Sequence, residues 1–289
     1  MTMAGTRELD GQGLAPGGFA GTRAPIWRRL LRGPAATILA PLSVVALALL
    51  AWEFLIPLGI VPGVKPAYLG TPSGIWGAAT ELGRTGYGGY GLLQHVGASL
   101  ARTVTGFTLA AMAGVPLGIL LGYNQRIGSF LLPIFGFLRP IPALAFIPIV
   151  VIWFGIGEFA KVFVIFMTAF LYVLLGSVSG VRSVPNDIFR LSRNYRLSPV
   201  TTLFRVVLPA ALPEIFVSLR TAMALSWAVV VASELIAAQV GLGYLIQSAS
   251  QVYAINTVYV GVALIGLVGV SIDLLFLAVE RRLLHWVGR

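Results

Sequence analysis

The sequence predicts an all-α polytopic membrane protein with about six transmembrane helices. Three observations predict it. Of 289 residues, 57% are hydrophobic and only 10% are charged, whereas soluble domains carry about 25% charged residues. The apolar residues fall in long blocks, each able to cross a hydrocarbon core that needs roughly 20 helical residues. The basic residues collect in alternate loops, the pattern of a positive-inside topology.

Taken in order, residues 1–37 are Gly-rich, polar and basic, with Arg23, Arg28, Arg29 and Arg32 near their end. They read as a cytoplasmic tail with little order and a basic anchor. The first apolar block then starts too late and runs too long for a secretory signal. That block gives a first transmembrane helix within 38–61. Residues 62–96 form the largest outside segment. Turn chemistry at Val61-Pro-Gly63 and Gly70-Thr-Pro72 precedes a weakly amphipathic stretch from Ser73 to Leu82 and a Gly86-Tyr-Gly-Gly-Tyr-Gly91 run. This predicts an interfacial helix followed by a spacer loop. Further spans are expected at about 97–123, 130–154, 160–181, 209–237 and 257–279, and a short tail, 281–289, ends the chain.

With both termini inside, the inside segments hold Arg7, Arg23, Arg28, Arg29, Arg32, Arg126, Arg182, Arg190, Arg193, Arg196, Arg205, Arg281, Arg282 and Arg289. The outside segments hold only Lys65 and Arg84. That asymmetry sets both ends in the cytoplasm. It also accounts for the net charge of +10 without nucleic acid, since no aromatic-basic patch accompanies it. With no cysteine, disulfides and cysteine metal sites are excluded. His95 and His285 are far apart and read as structural.

In the second block Gly106, Ala110, Gly114, Gly118 and Gly122 recur every four residues. They form a stripe of small side chains on one helix face, suited to close helix packing in lipid. The third block contains Arg139-Pro-Ile-Pro142 and Pro148. Three prolines remove three backbone donors and should bend or unwind the helix. Such a break is tolerated in a membrane when buried in protein or facing a water-filled cavity. Arg139, Pro140 and Pro142 are therefore candidates for the translocation path or its gate. Arg220 and Glu234 in the fifth block join them as charges in a span. Arg102, Arg139, Lys161 and Arg220 sit within or at the edges of spans; of these, Arg139 and Arg220 would favour anions in the path. Glu214, Arg220, Glu234 and Asp273 are too dispersed for a proton relay.

The loop 182–207 carries the most information. Asn186 or Asp187 could cap a short helix, and Pro199 could open a second. Its arginines make it a basic docking element. Gly241-Leu-Gly243 follows a span and opens no strand-turn-helix unit, so it is not a dinucleotide loop. No Gly-rich phosphate loop ending in Gly-Lys-Ser/Thr occurs, so ATP would be bound by another chain.

Several segments in one order resemble binding-protein-dependent ABC transporter permeases: Leu208-Pro-Ala-Ala-Leu-Pro213, Leu219-Arg220, Ala232-Ser-Glu-Leu-Ile-Ala-Ala238 and Gly241-Leu-Gly-Tyr-Leu-Ile246. Arg139-Pro-Ile-Pro142, Trp153-Phe-Gly-Ile-Gly-Glu158 and Glu280-Arg-Arg-Leu-Leu-His-Trp286 resemble the taurine, alkanesulfonate, nitrate and bicarbonate branch, with the taurine type nearest. The resemblance spans about 69–286. It implies a six-helix type I importer transmembrane domain, with an ABC type-1 core at 97–280, in a bacterial inner membrane. It also implies a permease homodimer, a cytoplasmic ATPase dimer and a periplasmic solute-binding protein, with no cofactor of its own.

In that family the loop is the coupling element that fits the ATPase. Its pattern is Glu-Ala-Ala, three residues, Gly, nine residues, then an aliphatic residue, any residue and Leu-Pro. Counting back from Leu208-Pro209 puts Val206 at the aliphatic position, Arg196 at the Gly, and Arg190-Leu191-Ser192 at the Glu-Ala-Ala. The acidic residue and the glycine are both missing. The resemblance thus implies ATPase coupling through Asp187, Arg190, Leu191, Ser192, Arg193, Arg196, Leu197, Ser198, Leu208 and Pro209. A small sulfonate is the first expectation for the solute, with nitrate or bicarbonate next. A secondary transporter would require internal repeats and clustered mid-membrane charges, and a membrane enzyme a catalytic constellation; the sequence displays neither.

Overall fold

The computed structural model describes residues 34–55, 57–59 and 68–286, with the side chains of 34–42 and of residues 236 and 237 excepted. The basic tail before residue 34, Lys65 and Arg289 lie outside the described residues. The chain divides into two units, 1–52 and 53–289. The first holds most of α1 (Pro34–Leu55), a 22-residue helix whose one charge is Glu53.

The second unit is helical throughout. In it α2 (Pro72–Thr85), α3 (Leu92–Tyr123), α4 (Gln125–Leu138), α5 (Ile147–Phe154) and α6 (Glu158–Arg182) precede the basic loop. The loop folds as α7 (Asn186–Asn194) and α8 (Pro199–Thr202), followed by a π turn, Leu203–Val207. Then come α9 (Leu208–Ala237), α10 (Leu242–Gln251) and α11 (Ile255–Leu283).

Among the described residues, four helices are long and apolar enough to cross a bilayer unbroken: α3, α6, α9 with its lead-in, and α11. The expected third span is instead a pair, α4 and α5, bent by 77°. The cause is the run of prolines. Pro142 holds the extended position before a 3-10 turn, Ala143–Phe146, and Pro148 opens α5, where a missing N–H does no harm. The span also begins earlier than expected, because Asn124 caps α4 by accepting from the N–H groups of Arg126 (3.1 Å) and Ile127 (3.3 Å).

α6 is the central helix. It runs parallel to α3, and the small-residue stripe is the seam between them. A Cβ at Gly106 would stand 2.7 Å from Ile165 Cγ2, and one at Gly122 2.8 Å from Val181 Cβ. At Gly118 it would collide with the Leu174 carbonyl. The backbones therefore touch where only glycine fits. On its other side α6 runs antiparallel to α9, with Gly176 against Ser218 and Gly180 against Ala211 and Ile215. α11 packs antiparallel on α9, fastened by Trp227 Nε1–H donating to Ile265 O (3.0 Å). Chain order and these pairings put the ends of α3 and α6, the start of α9 and the basic loop at one end of the bundle.

Candidate functional site

At the arginine-rich end, α6 finishes at Arg182, and Pro185 takes the N-cap position of α7 with an extended ψ of 139°. Neither Asn186 nor Asp187 caps the helix, contrary to expectation, because the proline ring already fixes the non-helical entry. Asp187 lies in the first turn, favoured by the positive helix end, and reaches Arg190 at 3.6 Å, with both side chains exposed.

One face of α7 is held by the chain itself. Ile188 and Phe189 pack on a core of Val181, Val184, Val207, Ala211 and Ile215. Ser192 is buried and donates to Ile188 O (2.9 Å), so it faces inward rather than toward a partner. The other face is open. Arg190, Arg193 and Arg196 are exposed, as are the large apolar side chains of Leu191, Leu197, Val200 and Phe204, with Tyr195 77% exposed.

The turn between α7 and α8 explains the missing glycine. Leu197 N–H donates to Ser192 O (3.0 Å) and Arg196 N–H to Arg193 O (2.9 Å), the paired bonds of a Schellman C-cap. Arg196 occupies the left-handed position with φ +51°, where glycine is the usual occupant. The tight turn is thus made by arginine in a glycine's conformation. Ser198 then caps α8 by accepting from Thr201 N–H (3.1 Å), and Pro199 opens it. Leu208 and Pro209 start α9, both half-buried, with Leu208 packed against the same core.

Midway along the bundle, the break between α4 and α5 faces α6 and α9. Arg139 caps α4 and lines two adjoining cavities of about 310 and 520 Å³. One is shared with Glu214 and Ser218, the other with Pro140 and Pro142. Among the described residues the Arg139 guanidinium makes no ion pair. Arg220 behaves differently. It forms two bonds to Asp273 on α11 (2.6 and 2.7 Å) and lies 3.7 Å from Glu280. Its charge is matched by two carboxylates, and it lines neither cavity. The expectation that both cations bias the path toward anions therefore reduces to Arg139.

Glu234 lines neither of these two cavities either. It is 1% exposed and accepts from Arg102 Nη1 (2.6 Å), Ser99 Oγ (2.9 Å) and Gly243 N–H (2.9 Å). Arg102 further donates to Val240 O (2.7 Å) and makes two bonds to Glu158, which also accepts from Lys161 (3.0 Å). His95 completes the cluster. Gly241 N–H donates to its Nδ1 (3.1 Å), leaving Nε2–H for Tyr87 O (3.0 Å). The Gly/Tyr run is thus anchored rather than a mere spacer. The network ties α3, α6 and α9 to the turn before α10 at the end of the bundle opposite the basic loop. A Cβ at Gly241, where φ is +138°, would stand 2.5 Å from Glu234 Cδ, so this turn can close only on glycine. Sequence reasoning treated these charges one at a time and missed the cluster. The signal was there: Arg102, Glu158, Lys161 and Glu234 all fall within or beside spans, where a charge needs a partner.

Known proteins resemble this chain along most of its length. The family model for "binding-protein-dependent transport system inner membrane component" matches residues 114–285. The chain is 37% identical to the taurine transport system permease protein TauC of Escherichia coli (strain K12), over 78% of this chain and 82% of that protein. It is 41% identical to the bicarbonate transport system permease protein CmpB of Synechococcus elongatus, over 63% and 66%. It is 32% identical to the putative aliphatic sulfonates transport permease protein SsuC of Bacillus subtilis, over 86% of each. Its fold is similar to a chain of the MetNI methionine ABC transporter in an inward-facing conformation, with a TM-score of 0.59 at 20% identity, covering 68% of this chain and 96% of that one.

Proposed function

The chain belongs to the binding-protein-dependent transport system inner membrane components and is an ABC-importer permease, and from that premise we propose that it carries a small anionic solute, a sulfonate such as taurine first, through a homodimer. The observation that carries the solute class is Arg139. A cation that makes no ion pair among the described residues, at a helix break lining cavities between α4, α5, α6 and α9, favours an anion in transit, although Glu214 shares one of the two cavities. The names of the relatives support the same class, since they transport taurine, bicarbonate and aliphatic sulfonates.

In this reading the basic loop lies in the cytoplasm, where a separate ATPase dimer grips its exposed face. The unbonded apolar side chains around Arg193 and Arg196 supply the contact, with a basic rim in place of the acidic one the family uses. A solute-binding protein delivers the solute at the opposite end. The mechanism is alternating access: closure of the ATPase pair moves α7, and α7 moves α6 and α9 because Ile188 and Phe189 are packed into their shared core. A secondary transporter is disfavoured by the charges. The buried ionic cluster is saturated with partners and lies near helix ends rather than at mid-span.

The test is uptake into proteoliposomes holding the permease, its ATPase and its binding protein. Taurine should enter only with ATP inside the compartment that faces the loop, and Arg139→Gln should cut uptake by about tenfold or more, about 1.4 kcal/mol. Uptake unaffected by Arg139→Gln would remove the anion argument. Uptake independent of ATP would remove the importer reading.

A further inference from the structure

The arginine-rich end contains a third cavity, of about 760 Å³, between the α3–α4 turn, the end of α6 and the inner side of α7 and α8. Its charged lining is Arg126, Arg182 and Arg193, all three exposed and Arg193 also bordering the open face of α7, with no carboxylate. None of the three makes an ion pair among the described residues; Asp187, the nearest acid in sequence, pairs with Arg190 instead. Asn124, Gln125, Asn186 and Thr202 add polar side chains to the lining. Three guanidiniums without ion-pair partners and no carboxylate make this hollow strongly positive, a setting that draws an anion.

The geometry points to a binding site for the phosphate of an anionic phospholipid, wedged between the α3–α4 turn and the coupling helix. Phosphate is the chemistry that arginine forks match best. Three features favour a lipid headgroup over free phosphate. The cavity is several times larger than a lone phosphate needs and lies within the usual range for ligand pockets. It opens where two apolar spans, α3 and α6, end, which is headgroup level. Leading away from it along α4, Ile127 and Phe130 are exposed apolar side chains, a strip suited to an acyl chain and of no use to a soluble anion. A headgroup there would tie α7 to α3 and α6 and so tune how stiffly the coupling helix follows its ATPase. The inference uses only the membrane placement of α3 and α6, not the solute or the ATPase contact.

The experiment is native mass spectrometry of the full-length permease in detergent, offered equal phosphatidylglycerol and phosphatidylcholine. Phosphatidylglycerol adducts should dominate. In R126Q/R182Q their excess should fall at least about fivefold, the worth of one arginine near an anionic headgroup. R126K/R182K should keep most of it, and R281Q/R282Q, which removes equal charge elsewhere, should keep all of it; both also guard against a folding artefact. An unchanged excess in R126Q/R182Q overturns the proposal, and so does an equal fall in R281Q/R282Q. Displacement of the lipid by inorganic phosphate or ATP would make the ligand a soluble anion and overturn the lipid assignment. If R126Q/R182Q loses only its ATPase, with the lipid ratio intact, the cavity belongs to the subunit interface and the proposal falls.

Discussion

Arg196 holds a backbone conformation that its Cβ disfavours. Replacing it with glycine should relieve about 1 kcal/mol of left-handed strain and raise the melting temperature of the detergent-solubilised chain, provided the arginine side chain adds nothing to folding. Ser177 offers the complementary case. Its hydroxyl is the one side-chain oxygen among the described residues that is buried without a partner, so Ser177→Ala should be neutral or stabilise by about 1 kcal/mol. Glu234 is the opposite. Removing its carboxylate leaves Arg102 buried without that counter-charge, and Glu234→Ala should destabilise by about 3–5 kcal/mol, read as a lowered melting temperature. These side chains were unevenly legible in the sequence. The absent glycine at Arg196 was visible as a departure from the family pattern. The partners of Glu234 were not, because Ser99 and Arg102 lie more than 130 residues away and only the tertiary fold brings them together.

At the scale of elements, the seam between α3 and α6 was readable because a four-residue repeat of small side chains is a local pattern with one physical use in lipid. Gly118→Leu should force those helices apart, cost about 1–3 kcal/mol or more by overpacking, and lower the yield of folded permease. The bend at Arg139-Pro-Ile-Pro142 was readable for a similar reason, since proline acts on its own helix. The angle of 77° and the cavities beside it were not, because they depend on how α6 and α9 pack. Helix α10 escaped the sequence reading: ten residues of modest apolarity are too short to register as a span. On the coupling element, Arg193→Glu should weaken association with the ATPase by about tenfold, about 1.4 kcal/mol, measured by co-purification. Ser192→Ala should leave association unchanged, since that hydroxyl bonds back to Ile188.

For the whole molecule, composition and charge asymmetry were enough to establish a multi-pass membrane chain, and the fold and family agree with it. What the account depends on is the side of the membrane that the basic loop faces. An ATPase can grip α7 and α8 only from the cytoplasm, while the cluster around Glu234 and Gly241 then faces the binding protein. The chain has no cysteine, so Tyr195→Cys, at the exposed end of α7, would be its sole thiol. The deciding measurement is labelling of that thiol by a membrane-impermeant maleimide. The account predicts no labelling in intact cells and full labelling in inverted membrane vesicles. Labelling in intact cells would put the loop out of reach of any ATPase and contradict the importer mechanism proposed for this chain.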